Sequence, residues 1–325
     1  MNTIKVKFVD FWRNFDLTKS RLFNFLNQKY NVVLSDDPDY LFYSVYGFEH
    51  LKYDCVKICF TGENVVPDFN FCDYGVGFHY LQFPGRYIRV PLFAKRDTYK
   101  SLKYPPVIDP EEVLNRKFCN FLYSNRSTAN PVRELLFNRL SRYKQVDSGG
   151  RLLNNTGYRT DNKLSFISGY KFTIAFENSS VDGYTTEKLV DPMSVNSLPI
   201  YWGNPLVHKD FNTMAFIHLK NSTTVEIDKA IEQVIHLDTH DDEYLTILSK
   251  PRFKESQFID ADKRQEAFLD LIFSQPITEA RRRPEFGYHR YNEKRLKELV
   301  YKPPLSKRLV KRLKKMIRRI IPKQG

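Results

Sequence analysis

The chain of 325 residues is 42% hydrophobic and 15% aromatic, which is enough apolar material for one large domain or two ordinary ones. Its net charge of +13 is unevenly placed, because residues 281–325 hold 17 Lys and Arg against 3 acids and residues 1–280 hold 34 against 35. A neutral body argues against a nucleic-acid enzyme, which would carry basic residues across its working face. We expect a soluble, cytoplasmic protein, since no signal peptide begins the chain and no run approaches the roughly 18 apolar residues of a membrane span.

The first hundred residues alternate short apolar runs with polar or amphipathic segments. Strands are predicted at residues 4–11, 31–35, 40–46, 55–62 and 74–78. A helix is predicted over residues 18–28, with Leu22, Phe25 and Leu26 on one face and Thr18 as its N-cap. This alternation indicates α/β layering with a largely parallel sheet.

A second α/β series follows a proline-rich stretch at residues 100–112, which we interpret as a linker. Strands are predicted at 117–125, 171–178 and 197–203, and helices at 130–143 and directly after Thr223. Pro131 suits the first turn of one helix, and Thr223 with Glu226 predicts a capping box for the other. The prediction is therefore two α/β domains, residues 1–105 and 106–280, facing across a ligand cleft, with residues 281–325 as a basic segment.

Residues 177–188, "ENSSVDGYTTEK", concentrate hydrogen-bonding side chains between a strand and a helix predicted to start near Thr186. Ligands of open α/β domains bind where strands end and helices begin. Free N–H groups at the helix start and the ammonium of Lys188 would attract an anionic oxygen, while Glu187 can accept hydrogen bonds from hydroxyls. The mixture suits a phosphate joined to a polyol, as in a nucleotide sugar. The alternative is a capped polar loop whose Glu187–Lys188 pair is solvated.

Other cofactor and metal signals are missing from the sequence. No GxxxxGK[ST] motif occurs, and "GVGFHY" at 75–80 lacks the third glycine of a dinucleotide fingerprint. We interpret Asp36, Asp37 and Asp39 as an acidic turn before a strand rather than a metal-binding D-x-D motif. The cysteines at positions 55, 59, 72 and 119 form no CxxC pair and the histidines show no ligand spacing, so we expect buried or free thiols and no metal.

Three stretches resemble family 10 α1,3-fucosyltransferases. Residues 172–205, "FTIAFENSSVDGYTTEKLVDPMSVNSLPIYWGNP", resemble the family signature, and residues 60–78 and 124–150 resemble its N-terminal and intermediate blocks. The resemblance implies two Rossmann-like domains of the glycosyltransferase B type, GDP-β-L-fucose as donor, inversion at the anomeric carbon, and neither cofactor nor obligatory metal. It implies transfer to O3 of GlcNAc in a glycan such as N-acetyllactosamine-type lipopolysaccharide. The alternatives are an α1,4-fucosyltransferase, another nucleotide-sugar transferase, or a non-enzymatic basic module that binds membranes or nucleic acid.

The resemblance also assigns roles to single residues. The positions that match donor-binding residues of the family are Arg133, Asn178, Tyr184, Glu187 and Lys188, with Arg133 and Lys188 at the diphosphate and Glu187 near the reacting centre. Glu63, in "TGEN", matches the proposed general base, although a surface turn carboxylate is the alternative. Pro192 interrupts a helix that is continuous in the family, and we expect a late kink there.

Residues 302–325, "KPPLSKRLVKRLKKMIRRIIPKQG", hold ten basic residues and no acid. Apolar residues recur at helical spacing, and the remaining positions include Lys311, Arg312, Lys314, Lys315, Arg318 and Arg319. A basic amphipathic helix of this kind lies on an anionic bilayer. The prediction is peripheral association with the inner face of the cell membrane, where a lipid-linked glycan would be the acceptor. Docking to a partner protein, packing on the protein's own surface and nucleic-acid binding are the alternatives.

Overall fold

The computed structural model describes residues 2–124, 130–284 and 286–302. The chain divides into two compact units, one made of Met1–Val76 and Leu269–Gly325 and the other of Gly77–Phe268. The first unit is thus built from both ends of the chain, which no pattern in the sequence indicated. The predicted domain bounds of 1–105, 106–280 and 281–325 stay a prediction.

The strands of the described residues are short and lie close to the predicted runs. In chain order they are β1 Thr3–Val9, β2 Asn31–Leu34, β3 Tyr40–Tyr43, β4 Val56–Phe60, β5 Tyr74–Gly77, β6 Tyr87–Arg89, β7 Lys117–Asn120, β8 Val146–Asp147, β9 Tyr170–Phe176, β10 Leu198–Trp202 and β11 Ile217–His218. Every predicted strand is confirmed, and each observed strand ends a few residues earlier than its apolar run.

The α-helices alternate with the strands only in part, since among the described residues none lies between β2 and β6 and five follow β11. In chain order they are α1 Arg21–Lys29, α2 Asp97–Ser101, α3 Pro110–Leu114, α4 Val132–Tyr143, α5 Lys163–Ser168, α6 Glu187–Ser194, α7 Thr224–Thr239, α8 Asp241–Leu248, α9 Ala261–Phe273, α10 Ile277–Ala280 and α11 Tyr288–Tyr301. Helix α6 ends two residues after Pro192, so the helix stops where a kink was expected.

The first unit is built on parallel strands in the order β2-β1-β3-β4-β5. Strand β1 is internal, because Val6 is in register with Leu34 of β2 on one side and Tyr40 of β3 on the other. Phe8 of β1 stacks on Phe42 of β3 with ring centroids 4.8 Å apart. The sheet therefore carries apolar residues on its faces, as parallel sheets covered by helices do.

The second unit holds a parallel sheet in the order β11-β10-β9-β7-β8. All seven residues of the central strand β9 are buried. The hydroxyl of Thr173 accepts a hydrogen bond at 2.7 Å from Asn120 of β7, and the hydroxyl of Tyr170 donates to Asp147 of β8, so the interior polar atoms pair with each other. Because the strands are parallel, β7, β9 and β10 all end at one edge of the sheet, and this edge positions the candidate site.

One local prediction is wrong, one is half right, and the predicted linker is partly helical. Thr18 does not cap the first helix, because it lies in a short 3-10 turn capped by Asp16, and α1 begins later at Arg21. The predicted linker at 100–112 contains the end of α2 and the start of α3, which Asp109 caps. Thr223 caps α7 as predicted, but Glu226 accepts from the N–H of Lys220 instead of completing a capping box.

The cysteine and acidic-turn predictions are confirmed. Cys55, Cys59, Cys72 and Cys119 are all buried thiols. The acidic residues at 36–39 form the turn between β2 and β3, and Asp36 pairs with Lys7.

The end of the described chain is the helix α11. The predicted amphipathic helix of residues 302–325, with its six basic surface residues, lies outside the described residues except for Lys302. In the part of the chain that the structure describes, we find no helix that is both long and apolar enough to span a bilayer.

Candidate functional site

The carboxyl edge of the second sheet carries the predicted donor residues. Strands β7 and β9 end there side by side, and the loops that follow them lead to the starts of helices. Arg133 is the second residue of α4, and Glu187 and Lys188 are the first two residues of α6. Open α/β sheets bind their ligands at this edge.

Glu177, which directly follows β9, is the buried anchor of this edge. Its side chain has no solvent exposure, and its carboxylate accepts hydrogen bonds from the N–H of Thr186 at 2.7 Å and from the Thr186 hydroxyl at 2.8 Å. Thr186 is in turn the N-cap of α6 and accepts from the N–H of Lys188. The first residue after the strand therefore fixes the first turn of the helix across the intervening loop.

Lys188 lies between two carboxylates. Its Nζ is 3.4 Å from Glu177 and 3.3 Å from Glu187. Burial acts against the ammonium charge, but the two carboxylates raise the pKa of Lys188 above its ordinary value. Burial also acts to raise the pKa of Glu187, but Lys188 and Lys163 lower it to about 2. Lys188 and Glu187 are therefore both charged near neutral pH.

Lys163 and Asp191 stabilise the first turn of α6. The Nζ of Lys163, in α5, lies 2.9 Å from Asp191 and 3.8 Å from Glu187. Asp191 is 1% exposed and also accepts a hydrogen bond at 2.8 Å from the hydroxyl of Thr98. These contacts hold the Glu187–Lys188 turn in place, since a buried carboxylate is stable when it is paired and hydrogen-bonded.

Arg133 is a buried cation with unused donors. It is 1% exposed, and its guanidinium carbon lies 4.6 Å from the ring centre of Tyr123. The Tyr123 hydroxyl donates to the carbonyl of Ile174 at 2.9 Å, which fixes the ring. Among the described residues, Nε and one terminal nitrogen of Arg133 have no hydrogen-bond partner, and burial lowers the pKa of the guanidinium. Unpaired buried donors are costly, so these nitrogens suit the oxygens of a bound anion.

Arg133 and Lys188 both lie near Tyr123. Burial raises the pKa of the Tyr123 phenol, and the positive charges of Lys188 and Arg133 both act against that shift. The two cations thus act on the same ring, from helices that begin at the same edge of the sheet. Together they place two cations beside the N-terminus of α6, and the unused donors of Arg133 and the N–H groups of the helix start favour an anionic ligand.

The loop between β9 and α6 depends on a glycine. Gly183 has φ of +87°, and a Cβ placed on it would lie 2.5 Å from the carbonyl oxygen of Phe78. Its N–H donates to Asn204 Oδ1 at 2.8 Å, and the Asn204 amide donates to Thr185 at 3.1 Å. The next residue, Tyr184, is buried with its ring 5.2 Å from that of Phe78. The loop conformation is therefore set by packing on both sides.

The structure brings five predicted residues to one edge of the second sheet. They are Arg133, Asn178, Tyr184, Glu187 and Lys188. Asn178 is half-buried, and its carbonyl accepts a hydrogen bond at 3.0 Å from the N–H of Asn130.

Glu63 belongs to the other unit, where it follows β4 at the carboxyl edge of the first sheet. Its carboxylate is exposed and accepts a hydrogen bond at 2.5 Å from the hydroxyl of Tyr46. Burial and the Glu63 carboxylate together raise the pKa of Tyr46 to about 12. Glu63 therefore accepts a hydrogen bond from one phenol and is also exposed to solvent.

Sequence reasoning missed the residues that hold the site together. They are Tyr123, Lys163, Glu177, Thr186 and Asp191. Glu177 gives a signal in the sequence, because an acid that directly follows an apolar strand and precedes a polar loop marks the ligand edge. Thr186 gives a local signal as the predicted start of a helix, whereas Tyr123, Lys163 and Asp191 give none, since their roles arise from contacts between separate elements.

No metal centre is evident in residues 2–124, 130–284 and 286–302, where no three His, Cys, Asp or Glu side chains are grouped closely enough to hold an ion. The prediction of a metal-independent reaction is not tested by this and stays a prediction.

Family models cover both parts of the chain. Residues 6–95 match the alpha-(1,3)-fucosyltransferase FucT N-terminal domain, and residues 114–268 match the C-terminal model of glycosyltransferase family 10 (fucosyltransferase). Together the two matches cover most of the chain.

Two curated proteins illustrate the range of relatives. Alpha-(1,3)-fucosyltransferase FucT of Helicobacter pylori is 32% identical over 287 residues, which is 75% of this chain. Human GDP-fucose protein O-fucosyltransferase 3 is 28% identical over 145 residues, or 40% of this chain. This chain spans 59% of the length of the first relative and 30% of the length of the second.

Two solved structures of fucosyltransferases superpose on this chain. A crystal structure of an alpha1,3-fucosyltransferase superposes with a TM-score of 0.70 and 28% identity, over 84% of this chain and 91% of that chain. The crystal structure of an alpha1,3-fucosyltransferase with GDP-fucose gives a TM-score of 0.69 and 28% identity, over 85% of this chain and 92% of that chain. These superpositions and the two parallel sheets confirm the predicted α/β fold.

Proposed function

We propose that this chain, which belongs to glycosyltransferase family 10, transfers L-fucose from GDP-β-L-fucose to O3 of GlcNAc in a glycan acceptor. The observation that carries the proposal is the buried Arg133 and the partly buried Lys188 beside a helix N-terminus in a chain with these family matches. A related fucosyltransferase of the same fold has been crystallised with GDP-fucose, which supports the choice of donor.

Departure of GDP is the first task of the site. As the bond between the fucose C1 and the phosphate oxygen breaks, negative charge develops on the β-phosphate. The unused guanidinium donors of Arg133 and the ammonium of Lys188 would stabilise that charge, because they are fixed before the reaction begins. We propose that this chain's own cations are sufficient and that no metal or cofactor is required.

Glu187 has a different role from the cations. Its carboxylate stays ionised because its pKa is about 2, and it lies at the first turn of α6 next to Lys188. We assign it to the fucose hydroxyls, which it can orient as a hydrogen-bond acceptor, with Asn178 and Tyr184 completing the donor contacts. Its negative charge beside the reacting carbon would also favour the positive character that develops there.

Attack on C1 requires a base for the acceptor hydroxyl. We assign this role to Glu63: as the acceptor oxygen bonds to C1, the carboxylate takes its proton and GDP leaves from the opposite face. This inverts the β-configuration of the donor to an α-linkage. A carboxylate beside a phenol, as in the Glu63–Tyr46 pair, is held in one orientation by the hydrogen bond, which favours general base catalysis.

The names of two relatives indicate which acceptors to test. The H. pylori relative is named for α1,3 transfer, which supports position 3 of the acceptor sugar; GlcNAc in a lipopolysaccharide-type glycan is our proposal for that sugar. The human relative is named for transfer to protein, so a peptide is a second acceptor class to test. An α1,4-linkage, another nucleotide sugar and a non-enzymatic basic module are the remaining alternatives.

Membrane association belongs to the same proposal. The basic segment at residues 302–325 would hold the enzyme on the anionic inner surface of the cell membrane, near lipid-linked acceptors. The helix α11 ends beside the loop after β3, where the hydroxyl of Tyr301 donates to the carbonyl of Phe48 at 2.8 Å. This loop also carries Tyr46, the partner of Glu63.

GDP release tests the proposed function. The purified chain is mixed with GDP-fucose and N-acetyllactosamine, and GDP is measured over time with each substrate omitted in turn. We expect release that depends on both substrates. A chain that binds GDP-fucose but releases no GDP with sugar or peptide acceptors would be a binding module, and the proposal would fail.

A further inference from the structure

A cavity of about 190 Å³ opens at the carboxyl edge of the first sheet. The loop after β3 forms one wall with Ser44 and His50, and the loop after β4 forms the other with Thr61 and Val65. Glu63 lies on this second loop. Because open α/β sheets bind ligands at this edge, the cavity is where the first unit would receive a sugar.

Asp10, directly after β1, organises the loop beside this cavity. Its side chain is 2% exposed, and its carboxylate accepts the main-chain N–H groups of Glu49 at 2.8 Å and His50 at 2.9 Å. Asp10 has φ of +60°, a strained value for a residue with a side chain. A Cβ on Gly47 would lie 2.4 Å from the Asp10 carboxylate, so the loop is built closely around this acid.

The same carboxylate also orients the imidazole of His50. The distance from Nδ1 of His50 to Asp10 Oδ2 is 2.7 Å, and the ring stacks on Tyr43 at 4.4 Å between centroids. Burial acts against the charge of Asp10, but the hydrogen bonds from His50 and Glu49 lower its pKa. Asp10 is therefore ionised and can accept a hydrogen bond from Nδ1–H of His50. The other ring nitrogen, Nε2, then remains for a hydrogen bond to a ligand.

We propose that His50 binds the acceptor sugar through a hydrogen bond between Nε2 and a sugar hydroxyl, and that Asp10 is the residue that positions it. This inference rests on the proposed transfer to a glycan. The two main-chain hydrogen bonds to Asp10 would be enough to stabilise this loop. The further Asp10–His50 bond fixes the tautomer and the direction of a ring that lines the cavity, which suits recognition of a ligand.

Two substitutions of His50 distinguish a role in binding the acceptor sugar from a role in stabilising the loop. In His50→Asn, the amide nitrogen can replace Nδ1 and still donate to Asp10, but no group replaces Nε2. In His50→Gln, the longer amide reaches the position of Nε2. We expect His50→Asn to raise the KM for N-acetyllactosamine by on the order of 10-fold, the effect of losing one hydrogen bond to a buried partner. We expect His50→Gln to recover part of this loss.

Two measurements on GDP-fucose show whether the substitutions affect the binding of the acceptor alone. The Kd for GDP-fucose and the slow hydrolysis of GDP-fucose without acceptor should match the wild type in both variants. An unchanged acceptor KM in a folded His50→Asn protein would overturn the inference, as would an equal loss of donor binding. A wild-type chain that transfers fucose to no acceptor would instead contradict the proposed function, and the inference with it.

A measurement on the wild type covers the case in which the variants do not fold. With the histidine rings labelled with ¹⁵N, the Nε2 resonance of His50 should shift when N-acetyllactosamine is added in the presence of GDP, and not with GDP alone. Absence of any shift at an acceptor concentration that saturates turnover would overturn the inference.

Discussion

The Nζ atom of Lys188 lies 3.4 Å from the carboxylate of Glu177, a side chain with no solvent exposure. The carboxylate is itself fixed by two hydrogen bonds from Thr186, which caps the helix that Lys188 begins. The cation and the helix N-terminus are therefore held together before any ligand arrives. Such preorganised charge stabilises a transition state without the cost of reordering it.

Removal of either cation should weaken GDP binding. Lys188→Ala and Arg133→Ala each delete a charged partner of the diphosphate, and one such contact contributes about 1.5–3 kcal/mol. The Kd for GDP, measured by calorimetry, should rise roughly 10- to 100-fold in each variant. Arg139→Ala is a matched control, because Arg139 lies on the same helix as Arg133 but pairs with Asp228 at the surface. An unchanged Kd in both folded variants would remove the assignment of the donor site.

Substitution of the proposed base should affect turnover without affecting the donor. Glu63→Gln keeps the size of the side chain and can still accept a hydrogen bond from Tyr46, but it cannot take a proton. We expect the Kd for GDP-fucose to stay near the wild-type value and kcat to fall by about 10²- to 10⁴-fold. Tyr46→Phe, which leaves the carboxylate in place, should reduce kcat far less. Wild-type turnover in Glu63→Gln would show that another acid is the base.

The low pKa of Glu187 predicts a specific dependence of stability on pH. Its pKa is about 2 in the folded chain against an ordinary value of 4.5, so the unfolded chain binds more protons between these two values. The stabilisation from the Glu187 carboxylate is therefore fully present above about pH 4.5 and is lost as the pH falls towards 2. In urea titrations, the stability difference between the wild type and Glu187→Gln should shrink between pH 5 and pH 3. A constant difference over this range would contradict the assignment of a depressed pKa.

Truncation tests the membrane role of the basic segment. Residues 1–280 have nearly balanced charge and residues 281–325 carry the excess of basic residues, so attraction to anionic lipid should reside in the C-terminal segment. Removal of residues 302–325 should abolish sedimentation with phosphatidylserine-containing vesicles and leave turnover on soluble N-acetyllactosamine largely intact. Binding of the full chain should weaken as salt rises. Continued sedimentation of the truncated chain, or lost activity on the soluble acceptor while it remains folded, would show that the segment has a structural role.

The sequence indicated the strands and the donor loop because local patterns determine both. Apolar runs bounded by polar residues marked every strand except the short β6, β8 and β11, and the polar loop at 177–188 stood at the carboxyl end of one of them. The resemblance then assigned Arg133, Asn178, Tyr184, Glu187 and Lys188, which the fold brings to one edge of a sheet.

Contacts between distant segments could not be read from the same patterns. Tyr123 lies beneath Arg133, and Lys163 pairs with Asp191, because separate elements pack together, and neither pairing follows from spacing along the chain. The return of residues 269–302 to the first unit is of the same kind. It depends on pairs such as Asp73 with Arg283, more than 200 positions apart. The start of the first helix was mispredicted for a local reason, since Asp16 caps a 3-10 turn over residues 17–19 and the helix begins only at Arg21.

The configuration and position of the new linkage test the proposed reaction most directly. The chain is incubated with GDP-β-L-fucose and N-acetyllactosamine, and the trisaccharide is analysed by NMR spectroscopy. The Arg133–Lys188 site and the Glu63 base predict one molecule of GDP for each fucose transferred, with fucose α-linked to O3 of GlcNAc. A β-linked product would contradict the inverting mechanism. A chain that consumes GDP-fucose and forms no fucosylated sugar or peptide would contradict the assignment as a fucosyltransferase.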